Sequence, residues 1–236
     1  TLPHHFSALH TFVSWQKVFL IGIVSAFVLG SVFRPMPTLI AVTAALTSIY
    51  FFDVLFNVFF VVRSLKKPPE ISFSDAELTA IHDERLPLYS ILCPLYREAH
   101  ILPGFLEAIG KLDWPKEKLE ALLLLEENDQ ETVQAAMSMD LPSFVRVVVV
   151  PHSEPKTKPK ACNYGLSMTR GEYVVIYDAE DIPDPFQLKK AYLGFQTLSR
   201  DVWCLQAKLN YFNANQNILT RLFTAEYSLW FDVTLP

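Results

Sequence analysis

Two apolar runs near the start of the chain constrain its fold more than any other feature. Val18 to Phe33 carries no charge, and Thr38 to Val62 is broken only by Asp53 and Asn57. A helix needs about 20 apolar residues to cross a bilayer, and each run approaches or exceeds that length. The first can recruit Trp15 and Lys17 at its edge, where an amphipathic ring and a long cationic side chain suit the headgroup region. The second run has no polar face. A helical hairpin buried inside a soluble protein is the competing arrangement, and the missing polar face weighs against it.

The flanking charges orient the pair. Arg63, Lys66 and Lys67 follow the second run at once, whereas the turn Arg34-Pro35-Met36-Pro37 offers only Arg34. The positive-inside rule then places everything after residue 62, and the N-terminus with it, in the cytosol. The start of the chain lacks the charged n-region and the small-residue cleavage site of a signal peptide. Asp53 within a span would cost roughly 2.5–3.5 kcal/mol at its centre. It lies nearer the cytosolic end, so it is expected to face water or another helix. A packing contact there implies further transmembrane helices of the same longer chain. The expected location is the inner (cytoplasmic) membrane, multi-pass, with the rest of the chain facing the cytosol.

The remainder reads as a globular α/β domain. The expected organisation is an N-terminal segment 1–15, two transmembrane helices 16–63, a linker 64–86 and a domain 87–236. Lys66-Lys67-Pro68-Pro69 breaks the second helix. Ser74-Asp75-Ala76-Glu77 matches a capping box, predicting a short helix to about His82. After Leu86-Pro87 short apolar runs alternate with helical patterns. Strands are predicted at Leu88–Cys93, Leu122–Leu125, Phe144–Val150, Tyr173–Tyr177 and Val202–Leu205. Helices are predicted at Glu98–Leu112, Gln130–Met139, Lys160–Thr169, Pro185–Leu198 and Gln216–Phe231. That alternation indicates a mostly parallel sheet buried on both faces. Ligands of such sheets bind outside the carboxyl ends of the strands.

Composition removes several function classes. With a net charge of −5, nothing points to a nucleic-acid partner. Cys93, Cys162 and Cys204 are far apart and unaccompanied by His clusters, so neither a zinc site nor a disulfide framework is expected. The chain lacks the glycine-rich fingerprints of dinucleotide and P-loop sites.

Polar clusters sit where the strands should end. The first strand leads into Pro94-Leu95-Tyr96-Arg97-Glu98, where Tyr96 could stack on a base and Glu98 accept a hydrogen bond, or the acidic residue could simply open a helix. The second leads into Glu126-Glu127-Asn128-Asp129, which could bind a base, a ribose hydroxyl or a metal, or solvate the next helix start. The third leads into a proline-stiffened loop from Pro151 to Pro159 with Lys156, Lys158 and, just beyond it, Lys160. These could meet phosphate oxygens or water. The fourth leads into Asp178-Ala179-Glu180-Asp181, followed by Ile182-Pro183-Asp184-Pro185. Carboxylates gathered this way repel one another unless a proton or a cation sits among them. Hard divalent ions prefer such oxygen donors. Asp184 before Pro185 is explained as a helix start. Asp178 and Glu180 are not, and their alternation would aim both carboxylates one way if the chain stays extended.

Taken in order, these runs resemble the family 2 glycosyltransferases, and most nearly the membrane-embedded bacterial cellulose synthase and poly-N-acetylglucosamine synthase-like enzymes. The ordered set Pro94 to Glu98, Glu126 to Asp129, Lys158-Pro159-Lys160-Ala161-Cys162-Asn163-Tyr164-Gly165-Leu166 and Asp178 to Asp181 carries the resemblance across residues 87 to 236. It implies a GT-A fold and a nucleotide-sugar donor, usually a UDP-sugar, with Mg²⁺ or Mn²⁺. It implies that Tyr96 and Glu98 contact the uracil, that Pro94 is part of the same donor-binding run, and that Glu126 and Glu127 lie near the uridine. Lys158 would approach the phosphates, Asn163 would steady that loop, and Gln206 would line the cleft. Asp178 and Glu180 would correspond to the family's Asp-x-Asp metal ligands.

Two departures accompany the resemblance. Glutamates stand at position 180 and at the 126–127 pair, where aspartates are usual. The acceptor-side Thr-Glu-Asp and Gln-x-x-Arg-Trp motifs are absent, so the acceptor's base is expected beyond Pro236 and the 236-residue piece is expected to turn over little. The implied activity is inverting transfer of a sugar to a growing polysaccharide or another hydroxyl, as in exopolysaccharide synthesis. A non-processive enzyme acting on a lipid-linked acceptor is a rival, as is a non-catalytic membrane or nucleotide-sensing module. A dehalogenase-like phosphatase would need a nucleophilic Asp after the first strand, where Cys93-Pro94 stands instead.

Overall fold

A computed structural model describes residues 12–66, 70–154 and 156–234. The expected helix break at Lys67-Pro68-Pro69 and most of the N-terminal segment lie outside the described residues. The chain divides into two compact units, Thr1–Glu70 with Lys208–Pro236, and Ile71–Ala207.

The first unit opens with helices α1 (Ser14–Phe33) and α2 (Pro35–Lys66). Pro35 begins α2 where a missing N–H costs nothing, since the first-turn donors have no intrahelical partner. Their apolar stretches have mean hydropathy 1.9 and 2.0 and no buried residues, so both are long and apolar enough to cross a membrane. Asp53 accepts a hydrogen bond from Asn57 one turn on, at 3.2 Å, within its own helix. The same unit contains α8 (Ile218–Leu229), which runs into a π-helical turn at Trp230–Thr234. Asn217 caps α8 by accepting from the Thr220 N–H at 3.0 Å. Ser64 donates to the Asp232 carbonyl at 3.1 Å. The Lys208 ammonium bridges Glu70 at 2.7 Å and Asp232 at 2.8 Å.

The second unit is the α/β domain. Ser74 and Glu77 form the predicted capping box at the head of α3 (Asp75–Thr79), which is shorter than expected. Strands β1 (Tyr89–Leu95), β2 (Leu119–Glu126), β3 (Val145–Val150) and β4 (Tyr173–Ile176) form one sheet in the order β3-β2-β1-β4. Every pairing is parallel, with Tyr89 opposite both Leu119 and Tyr173. Between them run α4 (Leu102–Gly110), α5 (Gln130–Ser138) and α6 (Lys158–Leu166), and α7 (Gln187–Thr197) follows β4.

The two-residue period of the strands sorts the core. Ile91, Cys93 and Leu95 of β1 and Ala121, Leu123 and Leu125 of β2 face Phe105, Ile109, Ala136 and Leu188 of the helices on one side. Leu92, Leu122, Leu124, Val148 and Val150 face Ala161 and Cys162 of α6 on the other. This is the α/β fold with a parallel sheet and a preceding apolar hairpin that the sequence predicts.

Two elements differ from expectation. Val202–Leu205 forms no strand: the chain there is irregular, and Trp203 is 88% exposed. Four apolar residues need a partner strand to become one, and among the described residues β4 is paired only through β1. Helix α4 begins at Leu102 rather than Glu98, because the chain first turns: Arg97 adopts φ 60°, and the Ile101 N–H donates to the Glu98 carbonyl at 3.0 Å in a turn ahead of the helix.

Candidate functional site

A parallel sheet delivers the carboxyl ends of all its strands to one edge. The residues after Leu95, Glu126, Val150 and Ile176 therefore share that edge, with Tyr96, Glu98, Glu127, Lys158, Asp178 and Glu180 among them.

Pro94 pairs opposite Leu124 in β1, one residue before the strand ends. The left-handed Arg97 then turns the chain, and its N–H donates to an Asp129 carboxylate oxygen at 2.5 Å. Asp129 also caps α5 by accepting from the Thr132 N–H at 3.4 Å. Burial opposes ionisation of Asp129, but the hydrogen bonds from Arg97 and Thr132 outweigh it and hold its carboxyl below the usual range. The Tyr96 ring is exposed on this turn. The Arg97 guanidinium lies 5.2 Å from its centroid and the Lys156 ammonium 4.6 Å.

The Glu126-Glu127 pair anchors the β3–α6 loop. Glu126 is buried and accepts from the Lys160 ammonium at 2.9 Å, and Lys160 also reaches the Pro151 carbonyl at 3.1 Å. Glu127 is exposed and accepts from the His152 N–H at 2.9 Å.

Lys158 is the first residue of α6. No side chain caps that helix, so its first-turn N–H groups favour an anion. A cation is unfavourable at that position, and the Lys158 ammonium is held instead by an ion pair with the Asp178 carboxylate. Asn163 lies exposed further along α6.

After β4 the chain does not stay extended. The Asp181 N–H donates to the Asp178 carbonyl at 3.0 Å, and the Asp178 N–H donates to the Asp181 carboxylate at 2.9 Å. This turn exposes Glu180 and buries Ala179 between it and Asp178. Burial pushes the Asp181 carboxyl up, with Lys158 opposing. Burial, then the negative charge of Glu180, pushes Glu98 up. Behind the turn burial raises the Tyr177 hydroxyl, which has no hydrogen-bond partner among the described residues.

Gln206 lies in the irregular segment after α7, and its side chain donates to the adjacent Ala207 carbonyl at 3.0 Å. Asp129, Lys156 and Lys160 carry more of the edge's architecture than the sequence indicates. Asp129 belongs to the acidic run whose simpler expectation is to solvate the next helix start, but its bond to Arg97 spans 32 positions and has no local signature.

No group of three or more His, Cys, Asp or Glu side chains converges as a metal cage among the described residues. The donor set still fits a hard cation shared with a ligand. The Asp178 carboxylate already holds a cationic group, the Lys158 ammonium. Glu180, exposed beside it, offers a second oxygen donor. A diphosphate and water would complete the shell, as such ions prefer.

Residues 87–232 match the model of a family described as glycosyltransferase like family 2. The "Probable glycosyltransferase YdaM" of Bacillus subtilis (strain 168) is 25% identical over 145 residues, covering 61% of this chain and 34% of the relative. The chain thus spans about a third of that relative's length. Among solved structures, the mannosyltransferase PcManGT from Pyrobaculum calidifontis, in complex with GDP-Man and Mn²⁺, is 26% identical with a TM-score of 0.46. The match covers 66% of this chain and 43% of that one. TarS 1–349 of S. aureus, in complex with UDP-GlcNAc, is 22% identical with a TM-score of 0.36, over 46% and 31% of the respective chains.

Proposed function

The chain belongs to the glycosyltransferase-like family 2, and on that premise we propose that it is the donor-binding part of a membrane-bound inverting glycosyltransferase. The donor is a UDP-sugar, and the acceptor is a hydroxyl of a growing polysaccharide or a lipid-linked molecule. The observation that carries this reading is the assembly of Tyr96, Glu98, Lys158, Asp178 and Glu180 at one sheet edge.

The roles follow from the chemistry of each position. Tyr96 presents an exposed ring on which a base stacks. Glu98, partly buried beside it, accepts from the base edge. Lys158 and the first-turn N–H groups of α6 receive the diphosphate. Asn163 and the Glu126 and Glu127 anchors keep that helix and its loop in place. Gln206 lines the cleft. Asp178 and Glu180 hold Mg²⁺ or Mn²⁺, which when bound supplies the charge that neutralises the departing diphosphate. The apolar helices α1 and α2 anchor the chain in the inner membrane, with the α/β unit in the cytosol.

Calorimetric titration with UDP tests the reading. Binding is expected to strengthen with Mg²⁺ or Mn²⁺ and, in the presence of the cation, to weaken at least tenfold in Asp178→Asn, which removes one carboxylate charge from the site. Equal binding with and without the cation, or in the variant, would sink it.

A further inference from the structure

The charge balance at the carboxyl edge is lopsided. Asp178 is bound to Lys158, and the same ammonium is within electrostatic reach of Glu98 and Asp181. The neighbouring lysines are otherwise engaged, Lys160 by Glu126 and the Pro151 carbonyl and Lys156 by the Tyr96 ring. Lys158 is half-exposed, its side chain 47% accessible, and sits where its own helix disfavours a cation. Among the described residues its one strong attachment is therefore Asp178, the carboxylate a divalent ion would need. A long, flexible ammonium in that position is an exchangeable counter-ion rather than a fixed strut.

We propose that Lys158 couples cation and nucleotide binding by changing partners. It neutralises Asp178 in the free protein and moves to the diphosphate when the nucleotide enters, releasing Asp178 to the metal. The proposal rests on the nucleotide-sugar reading of this edge and adds an order to it. A divalent ion arriving alone must displace the ammonium, whereas one arriving with nucleotide meets a vacated carboxylate. Coupling of this kind is reciprocal, so the ion strengthens nucleotide binding by the same factor.

The test measures Mn²⁺ binding to the full chain by the paramagnetic resonance of the free ion, with and without UDP. Wild type, Lys158→Met and Lys190→Gln are compared. Lys190 pairs with Asp184 at 3.1 Å and controls for loss of one nearby positive charge. Lys158→Met is expected to bind Mn²⁺ alone about tenfold more tightly than wild type, because the competing ion pair and the repulsion are gone. It is also expected to bind UDP alone about tenfold more weakly, so UDP enhances Mn²⁺ binding less than in wild type. A misfolded variant would lose both affinities together rather than gain one. Unchanged Mn²⁺ affinity in Lys158→Met, or equal tightening in Lys190→Gln, would overturn the exchange while leaving the nucleotide site standing. Absence of Mn²⁺ binding in the presence of UDP in all three proteins would remove the underlying reading as well.

Discussion

At the scale of single residues, Asp129 shows how a buried carboxylate organises an exposed site. It joins the exit of β1 to the start of α5 by accepting from Arg97 and Thr132. Asp129→Ala should destabilise the protein by about 1–2 kcal/mol, from the lost cap and the unpaired Arg97 N–H. The folded pKa of Asp129 is depressed. Its contribution is therefore complete above the unfolded value, near about 3.9, and is lost as pH falls through the folded value. Urea unfolding should show the full gap between wild type and variant at neutral pH and a shrinking gap in acid below that range. Individual residues were legible in the sequence where chemistry is local. Ser74 and Glu77 announce their own capping box, and three carboxylates in four positions announce a need for positive charge. The source of that charge was less legible. Whether Lys156, Lys158 or Lys160 meets Asp178 depends on how a helix start lies against a strand end, which is tertiary information.

At the scale of elements, packing against the sheet decides which substitutions matter. In α6, a Cβ on Gly165 would lie 2.6 Å from a Leu124 methyl carbon, and Leu124 is fully buried in β2. Gly165→Ala should cost about 1–3 kcal/mol by overpacking. The last residue of α4, Gly110, has open space around its Cβ position and ordinary helical backbone. Gly110→Ala should be neutral or stabilise by up to about 1 kcal/mol. Thermal unfolding of the two variants checks the contrast, and equal effects would show that the α6 contact is looser than described. Strands β1 and β2 were readable because their apolar runs are buried on both faces, whereas β3 and β4, rich in β-branched residues, are only partly buried. Val202-Trp203-Cys204-Leu205 has the same composition without a neighbour to pair with. Arg97, left-handed without any glycine or asparagine to mark it, likewise turns the chain ahead of α4.

At the scale of the whole molecule, the division into units carries a prediction. Both core clusters of the sheet fall within Ile71–Ala207, whereas the long apolar helices belong to the other unit. Residues 71–207 expressed alone should remain in solution without detergent and unfold in one cooperative transition. The full chain should sediment with membranes and resist extraction by high salt and alkali. Circular dichroism of the first and fractionation of the second test this, and a full chain released by alkali would refute the membrane assignment. The Lys208 bridge to Glu70 gives this division a topological meaning. The chain leaves the helical unit after Glu70 and re-enters it at Lys208, and these two side chains meet at 2.7 Å. The α/β unit is thus inserted in the sequence between two segments of the helical unit. A splice joining residue 70 to residue 208 through a few glycines would delete the α/β unit and leave the remaining backbone continuous. The Glu70–Lys208 junction would accept a foreign domain whose termini lie close together.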